Sequence, residues 1–334
     1  TGVHRVGFGG KALAEDLPVL VDVLADTLRH PAFPAQHTER RRGELLTLLH
    51  YRQQDTRWQA GRAFREQLYT PEHPYHYGVR GTLETVPALD TDAVRAFHAR
   101  HYGPQGMIIA ISGAVEPAAA VATVARALGD WQTAACPDDN ALPAAPAPAQ
   151  ETRTHVTVPG KTQTDLVVGT VGPSRFAADY LAAQMTNSIL GQFGMMGRIG
   201  DVVREQAGLA YYAYSRLAGG FGPGAWSVAA GVDPDDVDHA LALIMGELRR
   251  ITAEPVAPED LEDNQAYFVG RLPLQLERNE GIAGALLTME SFALGLDYIV
   301  TYRERIQRLT RDDLLHAARR YLDPDALVLA TAGP

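Results

Sequence analysis

The chain has 334 residues, of which 46% are hydrophobic and 21% are charged, and its formal net charge is −10. The excess of 40 Asp and Glu over 30 Lys and Arg argues against a nucleic-acid partner, because neutralising phosphates needs clustered basic side chains. Cys136 is the only cysteine, which excludes an intrachain disulfide and a Cys-based metal cluster, and no apolar run is long enough to span a membrane.

The first third of the chain shows helical patterns. The acidic residues Glu15 and Asp16 precede the apolar-periodic stretch LPVLVDVLADTLRH, which predicts a helix with a favourably charged first turn. Residues 89–113 predict an N-capped helix, a Pro turn and the apolar strand MIIAIS. The Pro- and Ala-rich stretch at 135–153 is typical of an extended linker.

The remaining part of the chain mixes strands with helices. It predicts the strands HVTVPG and TDLVVGTVG, a helix from about Ala177 to Leu190, and a Gly- and Met-rich loop with a short helix. The strands LAYYAYSRL and AWSVAAGV follow, joined by the turn GGFGPG, and several helices lead to a last strand. Hairpin strands with crossing helices predict an α+β domain in which helices cover one face of a mostly antiparallel sheet.

The two halves of the sequence resemble each other at a constant offset of 220 residues. Within residues 89–113 the identical pairs are Leu89 and Leu309, Asp92 and Asp312, Arg100 and Arg320, Pro104 and Pro324, Ala110 and Ala330, and Gly113 and Gly333. We therefore predict two homologous α+β domains, at 1–134 and 154–334. Because the second repeat starts near His155, we expect the first domain to lack about 65 N-terminal residues.

The histidines do not predict a metal site. His98 and His101 lie three residues apart on a predicted helix, but a third ligand is missing from their surroundings. His73 and His76 lie in the Pro-rich loop PEHPYHYG, where we expect roles in turns and hydrogen bonds. Neither His-Glu-x-x-His nor His-x-x-Glu-His occurs in the sequence.

The segment GMMGRIGDVVREQAGLAYYAYS predicts a helix that ends at Gly208, a residue suited to a left-handed cap. Arg204 in the last turn and Tyr211 at the start of the next strand can offer a guanidinium and a phenol to a peptide carbonyl. From the residues alone, a structural role is favoured, in which Arg204 binds carbonyls of its own helix and Tyr211 lies on a sheet face.

These residues also carry a family resemblance. The string RIGDVVREQAGLAYYAYS, with EHPYHYGVRGT and FHARHYGPQGMIIAISGAV, resembles the insulinase/pitrilysin-type (M16, inverzincin) zinc peptidases, and within them the short subfamily typified by mitochondrial processing peptidase. The resemblance covers essentially the whole chain and implies two homologous α+β domains in a clam-shell arrangement. It also implies that Arg204 and Tyr211, seven residues apart, form the substrate-binding pair of the second domain.

The resemblance implies a different outcome for zinc. Active members carry His-x-x-Glu-His in the first domain and a third ligand, Glu, on a later helix. Leu48 occupies the position of that third ligand here, and its side chain has no donor atom for Zn²⁺. Glu44 lies one turn earlier and is a poor substitute, because the helix would have to shift by about 5 Å.

We therefore predict a zinc-deficient subunit that has no visible catalytic residue and binds no cofactor itself. The resemblance implies that it acts on a peptide or unfolded polypeptide together with a zinc-bearing M16 partner subunit, as a heterodimer, or as a homodimer. One alternative is an active zinc-dependent endopeptidase with His-x-x-Glu-His upstream of Thr1. Another is a non-enzymatic scaffold similar to the core proteins of respiratory complexes. The Ala- and Arg-rich composition is typical of a GC-rich bacterial genome, and without a visible leader we expect a cytoplasmic protein with no membrane partner.

Overall fold

The computed structural model describes residues 2–133 and 142–334. Cys136 and the first part of the predicted linker lie outside the described residues. The chain divides into two compact units, each described by itself below. The first unit comprises Thr1–Leu49, Val79–Ala141 and Leu272–Leu296, and the second comprises His50–Gly78, Leu142–Arg271 and Asp297–Pro334. Each unit combines segments from both halves of the sequence, and the domain division at 1–134 and 154–334 stays a prediction.

The described residues of the first unit are helical or irregular. Its helices are α1 (Leu17–Arg29), most of α2 (Ala35–Gln53), α4 (Thr91–His101), α5 (Pro117–Leu128) and α10 (Asn279–Ser291). The predicted helix is α1, where Val21, Ala25 and Leu28 form the buried stripe of an amphipathic helix. Its acidic residues, Glu15 and Asp16, lie in a short 3₁₀ turn just before α1 and not in its first turn.

The strand predicted from the sequence MIIAIS is wrong, since residues 107–112 have an irregular conformation. Ile108 and Ile109 stay 40% and 39% exposed. No β-strand lies beside this segment among the described residues of the first unit, and an extended segment is stable as a strand only when neighbouring strands satisfy its backbone groups. A pattern of apolar residues alone therefore does not produce a strand here.

The second unit contains a sheet and the helices around it. Its strands are β1 (Thr152–Thr157), β2 (Thr164–Val171), β3 (Ala210–Leu217), β4 (Ala225–Val232) and β5 (Val328–Gly333). Its helices are α3 (Thr56–Leu68), α6 (Tyr180–Gly191), α7 (Phe193–Gly200), α8 (Val237–Ala253), most of α9 (Pro258–Leu276), α11 (Tyr298–Gln307) and α12 (Arg311–Tyr321). The predicted strands and the helix after β2 are confirmed to within a few residues.

The strand order in the sheet is β1-β5-β2-β4-β3. Only β1 and β5 pair in parallel, and the other three pairings are antiparallel. Every residue of β2 is buried, as its nearly continuous apolar sequence predicts for a central strand. The prediction of an α+β fold with a mostly antiparallel sheet is confirmed.

Helices pack on both faces of this sheet. One face, with inward residues such as Leu166, Val168 and Trp226, contributes to a core that also takes in residues of α6, α8 and α12. The other face, with Val167, is covered by α3 through Ala60, Ala63, Phe64 and Leu68. The prediction that helices cover one face is therefore incomplete, because α3, from the first half of the sequence, covers the other face.

The helices recur at the offset seen in the sequence. The bounds of α4, Thr91 and His101, return 220 residues later as Arg311 and Tyr321 of α12, and the first residue of α1 returns as the first of α8. At nearly the same offset, α10 corresponds to α3. α3 comes from the first half of the sequence but lies in the second unit, and α10 comes from the second half but lies in the first unit. Each repeat thus contributes one helix to the other unit.

Candidate functional site

Arg204 lies on a single turn of π-helix, Asp201–Gln206, which the sequence did not predict. The turn ends at Gly208, whose φ of 67° confirms the predicted left-handed cap. The Gly208 N–H donates to the Arg204 carbonyl at 3.2 Å, and the Leu209 N–H donates to the Val203 carbonyl at 3.0 Å. Val203 is fully buried, so the turn is fixed to the core on one side. Such π-helical turns occur frequently at functional sites.

Among the described residues, the guanidinium of Arg204 makes no hydrogen bond to a carbonyl of its own helix. Within the described part of the chain, its polar contact is an ion pair of 3.5 Å between its Nε and a carboxylate oxygen of Glu205, and its side chain is 29% exposed. An ion pair of this length at the surface is weak. The guanidinium thus keeps donors free for a ligand.

Tyr211 lies at an irregularity of the edge strand β3. Ala210 pairs with Val232 and Tyr212 pairs with Gly231, so Tyr211 is the extra residue of a β-bulge. Its side chain is 87% exposed, far more than that of either neighbouring tyrosine. The structure places Arg204 and Tyr211 on the two sides of one helix-to-strand junction. Their role in binding stays a prediction.

A polar cluster that the sequence analysis did not identify lies next to this junction. Asp165 on β2 is 2% exposed. Its carboxylate accepts hydrogen bonds from the Thr56 hydroxyl at 2.5 Å, from the Gln163 amide at 3.2 Å and from the Tyr212 hydroxyl. An acidic residue inside the apolar strand TDLVVGTV was the only available signal, and it gives no indication of its partners.

Arg57 on α3 completes the cluster. Its guanidinium carbon lies 4.2 Å from the centre of the Tyr212 ring, and its Nη2 donates to the Tyr214 hydroxyl at 2.8 Å. Burial by itself lowers the pKa of Arg57. The hydrogen bond to Tyr214 and the nearby Tyr212 and Asp165 together raise it by more than burial lowers it, so the pKa lies above its ordinary value. The guanidinium is therefore charged and stabilises the buried carboxylate.

The cluster predicts a loss of stability in alkali. Burial, followed by the hydrogen bond and the charge of Asp165, raises the pKa of Tyr212 from its ordinary value of 10.0. Above about pH 10 the phenol ionises in the unfolded chain but stays protonated in the folded one, so folding is weakened by up to about 1.4 kcal/mol per pH unit. We expect the Tyr212→Phe variant to show a shallower fall of the urea midpoint between about pH 10 and 12 than the wild type.

Tyr51→Phe, which removes a phenol that is 71% exposed, is the matched control for this measurement. Between about pH 10 and 12, the urea midpoint of Tyr51→Phe should fall as steeply as that of the wild type, and that of Tyr212→Phe should fall less. An equally steep fall in the wild type and in Tyr212→Phe would contradict the coupling between Tyr212 and Asp165.

The residues of the expected zinc side do not form a ligand set. Leu48 is a half-buried aliphatic side chain on α2. Glu44 is engaged by two arginines, with distances of 3.4 Å to Arg40 and 2.6 Å to Arg41. In residues 2–133 and 142–334, no three His, Cys, Asp or Glu side chains lie close enough together to hold a metal ion. Binding of zinc by a partner rather than by this chain stays a prediction.

His73, His76 and His98 act as hydrogen-bonding groups within the fold. The ring of His73 is buried, and its Nδ1 accepts from the Tyr75 N–H at 3.0 Å, which caps a short helical turn. His76 Nδ1 lies 2.7 Å from the Tyr69 carbonyl. His98 Nε2 lies 2.7 Å from the carbonyl of Leu28 at the end of α1. The predicted turn and hydrogen-bonding roles of the loop histidines are confirmed.

Comparison with known proteins decides the family. Residues 88–268, more than half of the chain, match the family described as peptidase M16 inactive domain. The chain belongs to the peptidase M16 family. The family match contains the π-helical turn, the bulge of β3 and Asp165.

Individual relatives of this M16 chain agree with the assignment. A protein named as a zinc protease from Streptomyces coelicolor is 26% identical over 93% of this chain and 68% of its own length. The mitochondrial-processing peptidase subunit beta of Saccharomyces cerevisiae is 20% identical over 100% of this chain and 74% of its own length. The chain spans about two thirds of the length of the first curated relatives that it matches.

The fold is also found among solved structures. The crystal structure of a peptidase M16 inactive domain from Pseudomonas fluorescens superimposes with a TM-score of 0.88, at 24% identity, over 96% of this chain and 76% of the other. The α+β fold predicted from the sequence is therefore that of M16 proteins. In the described residues, no helix has both the length and the apolar character needed to cross a membrane.

Proposed function

We propose that this M16 chain is a zinc-deficient subunit that binds peptide segments through Arg204 and Tyr211 and supports their cleavage by a zinc-bearing M16 partner. The observation that carries the proposal is the bulge of β3, which leaves Tyr211 87% exposed directly after the turn that carries Arg204. A large aromatic side chain exposed to this degree on a strand gains little for folding stability, which favours a role in binding.

The two side chains suit the backbone of an extended peptide. The Arg204 guanidinium can donate two hydrogen bonds to carbonyl oxygens, and the Tyr211 phenol can donate one to an oxygen that becomes negatively charged during cleavage. The residues on the expected zinc side do not fit the metal, because Leu48 lacks a donor atom and Glu44 is paired with Arg40 and Arg41. The hydrolytic centre therefore belongs to the partner in this proposal.

The likeness to a processing peptidase subunit supports the pairing. The yeast relative is named as one subunit of a processing peptidase, and the match covers 100% of this chain and 74% of the yeast protein. The negative net charge of this chain favours peptides with basic residues.

The experiment measures binding of a fluorescein-labelled, unstructured peptide rich in arginine by fluorescence anisotropy. We expect Arg204→Ala to weaken binding about tenfold or more, since a hydrogen bond from a charged group contributes about 1.5 kcal/mol or more. Tyr211→Phe should weaken it about fivefold, since a neutral hydrogen bond contributes about 1 kcal/mol. Arg216→Ala, which removes an exposed arginine from the same strand, is the matched control and should bind as the wild type does. Equal binding by the wild type and both site variants would refute the proposal and leave the scaffold role.

An active zinc-dependent endopeptidase is the second candidate, supported by the zinc protease names of the bacterial relatives. Elemental analysis of the protein purified at its natural length separates the two. The first proposal predicts substoichiometric zinc that is insensitive to Glu44→Gln. One zinc per chain that is lost in Glu44→Gln would favour the endopeptidase.

A further inference from the structure

We propose that Asp165 and Tyr212 are positioning residues that decide which of two adjacent tyrosines is offered to a peptide. Their hydrogen bond holds Tyr212 on the sheet face covered by α3 and thereby fixes the bulge at Tyr211. This inference rests on the proposed function for its biological meaning, but its structural part can be tested separately.

The hydrogen bond spans three strands. Tyr212 belongs to the edge strand β3 and Asp165 to β2, and both pair with the same residue of the intervening strand, Gly231. A Cβ atom at position 231 would lie 2.7 Å from Cε1 of Tyr212 and 2.5 Å from Nε2 of Gln163. Glycine at position 231 therefore leaves the space through which the tyrosine ring crosses β4 to reach the carboxylate.

The register of β3 selects the exposed tyrosine. If the pairing of Ala210 with Val232 continued without interruption, Tyr211 would lie opposite Gly231 and its phenol would take the place of Tyr212 beside Asp165. The bulge would then move one residue along the strand and leave position 212 as the extra, exposed residue. The two registers exchange the roles of two identical side chains, so local sequence preference distinguishes them poorly.

Neighbouring groups favour the observed register. A buried carboxylate must be satisfied by hydrogen bonds, and Asp165 already receives one from Thr56 of α3 and one from Gln163. Arg57 packs over the Tyr212 ring at 4.2 Å and donates to the Tyr214 hydroxyl at 2.8 Å. The arginine thus holds both rings on one face of β3, in the spacing of two residues that the observed register requires.

The experiment uses nitration of the folded chain with tetranitromethane, followed by peptide mass spectrometry at Tyr211. The exposed phenol should react readily in the wild type. In Tyr212→Phe, Asp165 loses its phenol donor, Tyr211 turns in to replace it, and we expect its nitration rate to fall at least fivefold. Asp165→Asn, which leaves Tyr212 in place and keeps an acceptor for its hydroxyl, should react at a rate near that of the wild type. Tyr51→Phe, the matched control, removes an exposed phenol that lies outside this cluster.

Fluorescence anisotropy of the labelled peptide, measured on the same variants, distinguishes the positioning of Tyr211 from the binding of peptide by Tyr211. Positioning predicts that Tyr212→Phe weakens peptide binding by the same factor as Tyr211→Phe, whereas the control Tyr51→Phe binds as the wild type does. Unchanged nitration of Tyr211 in Tyr212→Phe would overturn the positioning role, whatever the peptide does. If nitration falls as expected while Tyr211→Phe and Tyr212→Phe both bind peptide normally, the positioning of Tyr211 is upheld and only the proposed binding function fails.

Discussion

Replacing Gly191 by alanine should destabilise the second unit by about 3 kcal/mol or more, because the new methyl group has no space. Gly191 is the last residue of α6, and a Cβ atom there would lie 2.2 Å from the backbone nitrogen of Ser215 on β3 and 2.6 Å from its Oγ. Ser215 is itself fully buried, and its hydroxyl donates to Asn187 of α6 at 2.8 Å. Neither backbone can move away without breaking this helix-to-strand contact.

The chain offers a matched control for this substitution. Gly246 lies in the middle of α8 on its exposed side, and a Cβ atom there meets nothing within 4 Å. Gly246→Ala should stabilise the protein by about 0.5 to 1 kcal/mol, since alanine favours the helix more than glycine does. Urea unfolding followed by circular dichroism measures both changes. Shifts of the same sign in the two variants would contradict the close approach of α6 and β3.

Replacing Phe64 by alanine should cost about 3 to 5 kcal/mol, as expected for a large aromatic side chain removed from a core. Phe64 lies on α3, is 3% exposed and packs against the face of the sheet that contains Val167 and Ala330. The substitution tests whether a helix from the first half of the sequence stabilises the sheet of the second half. Hydrogen exchange should show faster exchange of the β2 and β5 amides in this variant.

Phe97→Ala is the control, because Phe97 on α4 is 57% exposed and its loss should change the free energy of unfolding by less than about 1 kcal/mol. If Phe64→Ala were as mild as Phe97→Ala, α3 would not be part of the core of the second unit. Unchanged exchange of the sheet amides in a destabilised Phe64→Ala protein would also contradict the packing.

The strands of the second unit were predictable because each carries its own signal. The alternating or continuous apolar runs, bounded by glycine-rich turns, gave β4 at Ala225–Val232 with both ends correct. The apolar segment at 107–112 carries a similar signal and forms no strand, because no strand lies beside it in the described part of its unit. The exchange of α3 and α10 was not predictable, since amphipathicity shows that a helix buries one side but does not show against which sheet.

For the candidate site, the sequence supplied the chemical groups and the fold supplied their presentation. Arg204 and Tyr211 were identified by their spacing within a family motif. The π-helical turn under Arg204 and the bulge at Tyr211 arise from packing of Val203 and from pairing with β4, which are contacts outside the motif. Asp165 was missed because its partners come from α3, β3 and the turn before β2.

The sequence by itself determined the α+β class, the resemblance of its halves at an offset of 220 residues and the family, because each depends on residue identity or on periodicity along the chain. Only the tertiary structure decided that α3 and α10 are exchanged between the repeats and that Tyr211, rather than Tyr212, is exposed. The physical reason is that both outcomes depend on contacts between segments that are far apart in the sequence: α3 buries its apolar side against the sheet, and Tyr212 reaches a buried carboxylate across β4. Tyr212 donates to a carboxylate 47 residues away in the sequence, and no local pattern of two adjacent tyrosines can specify that choice.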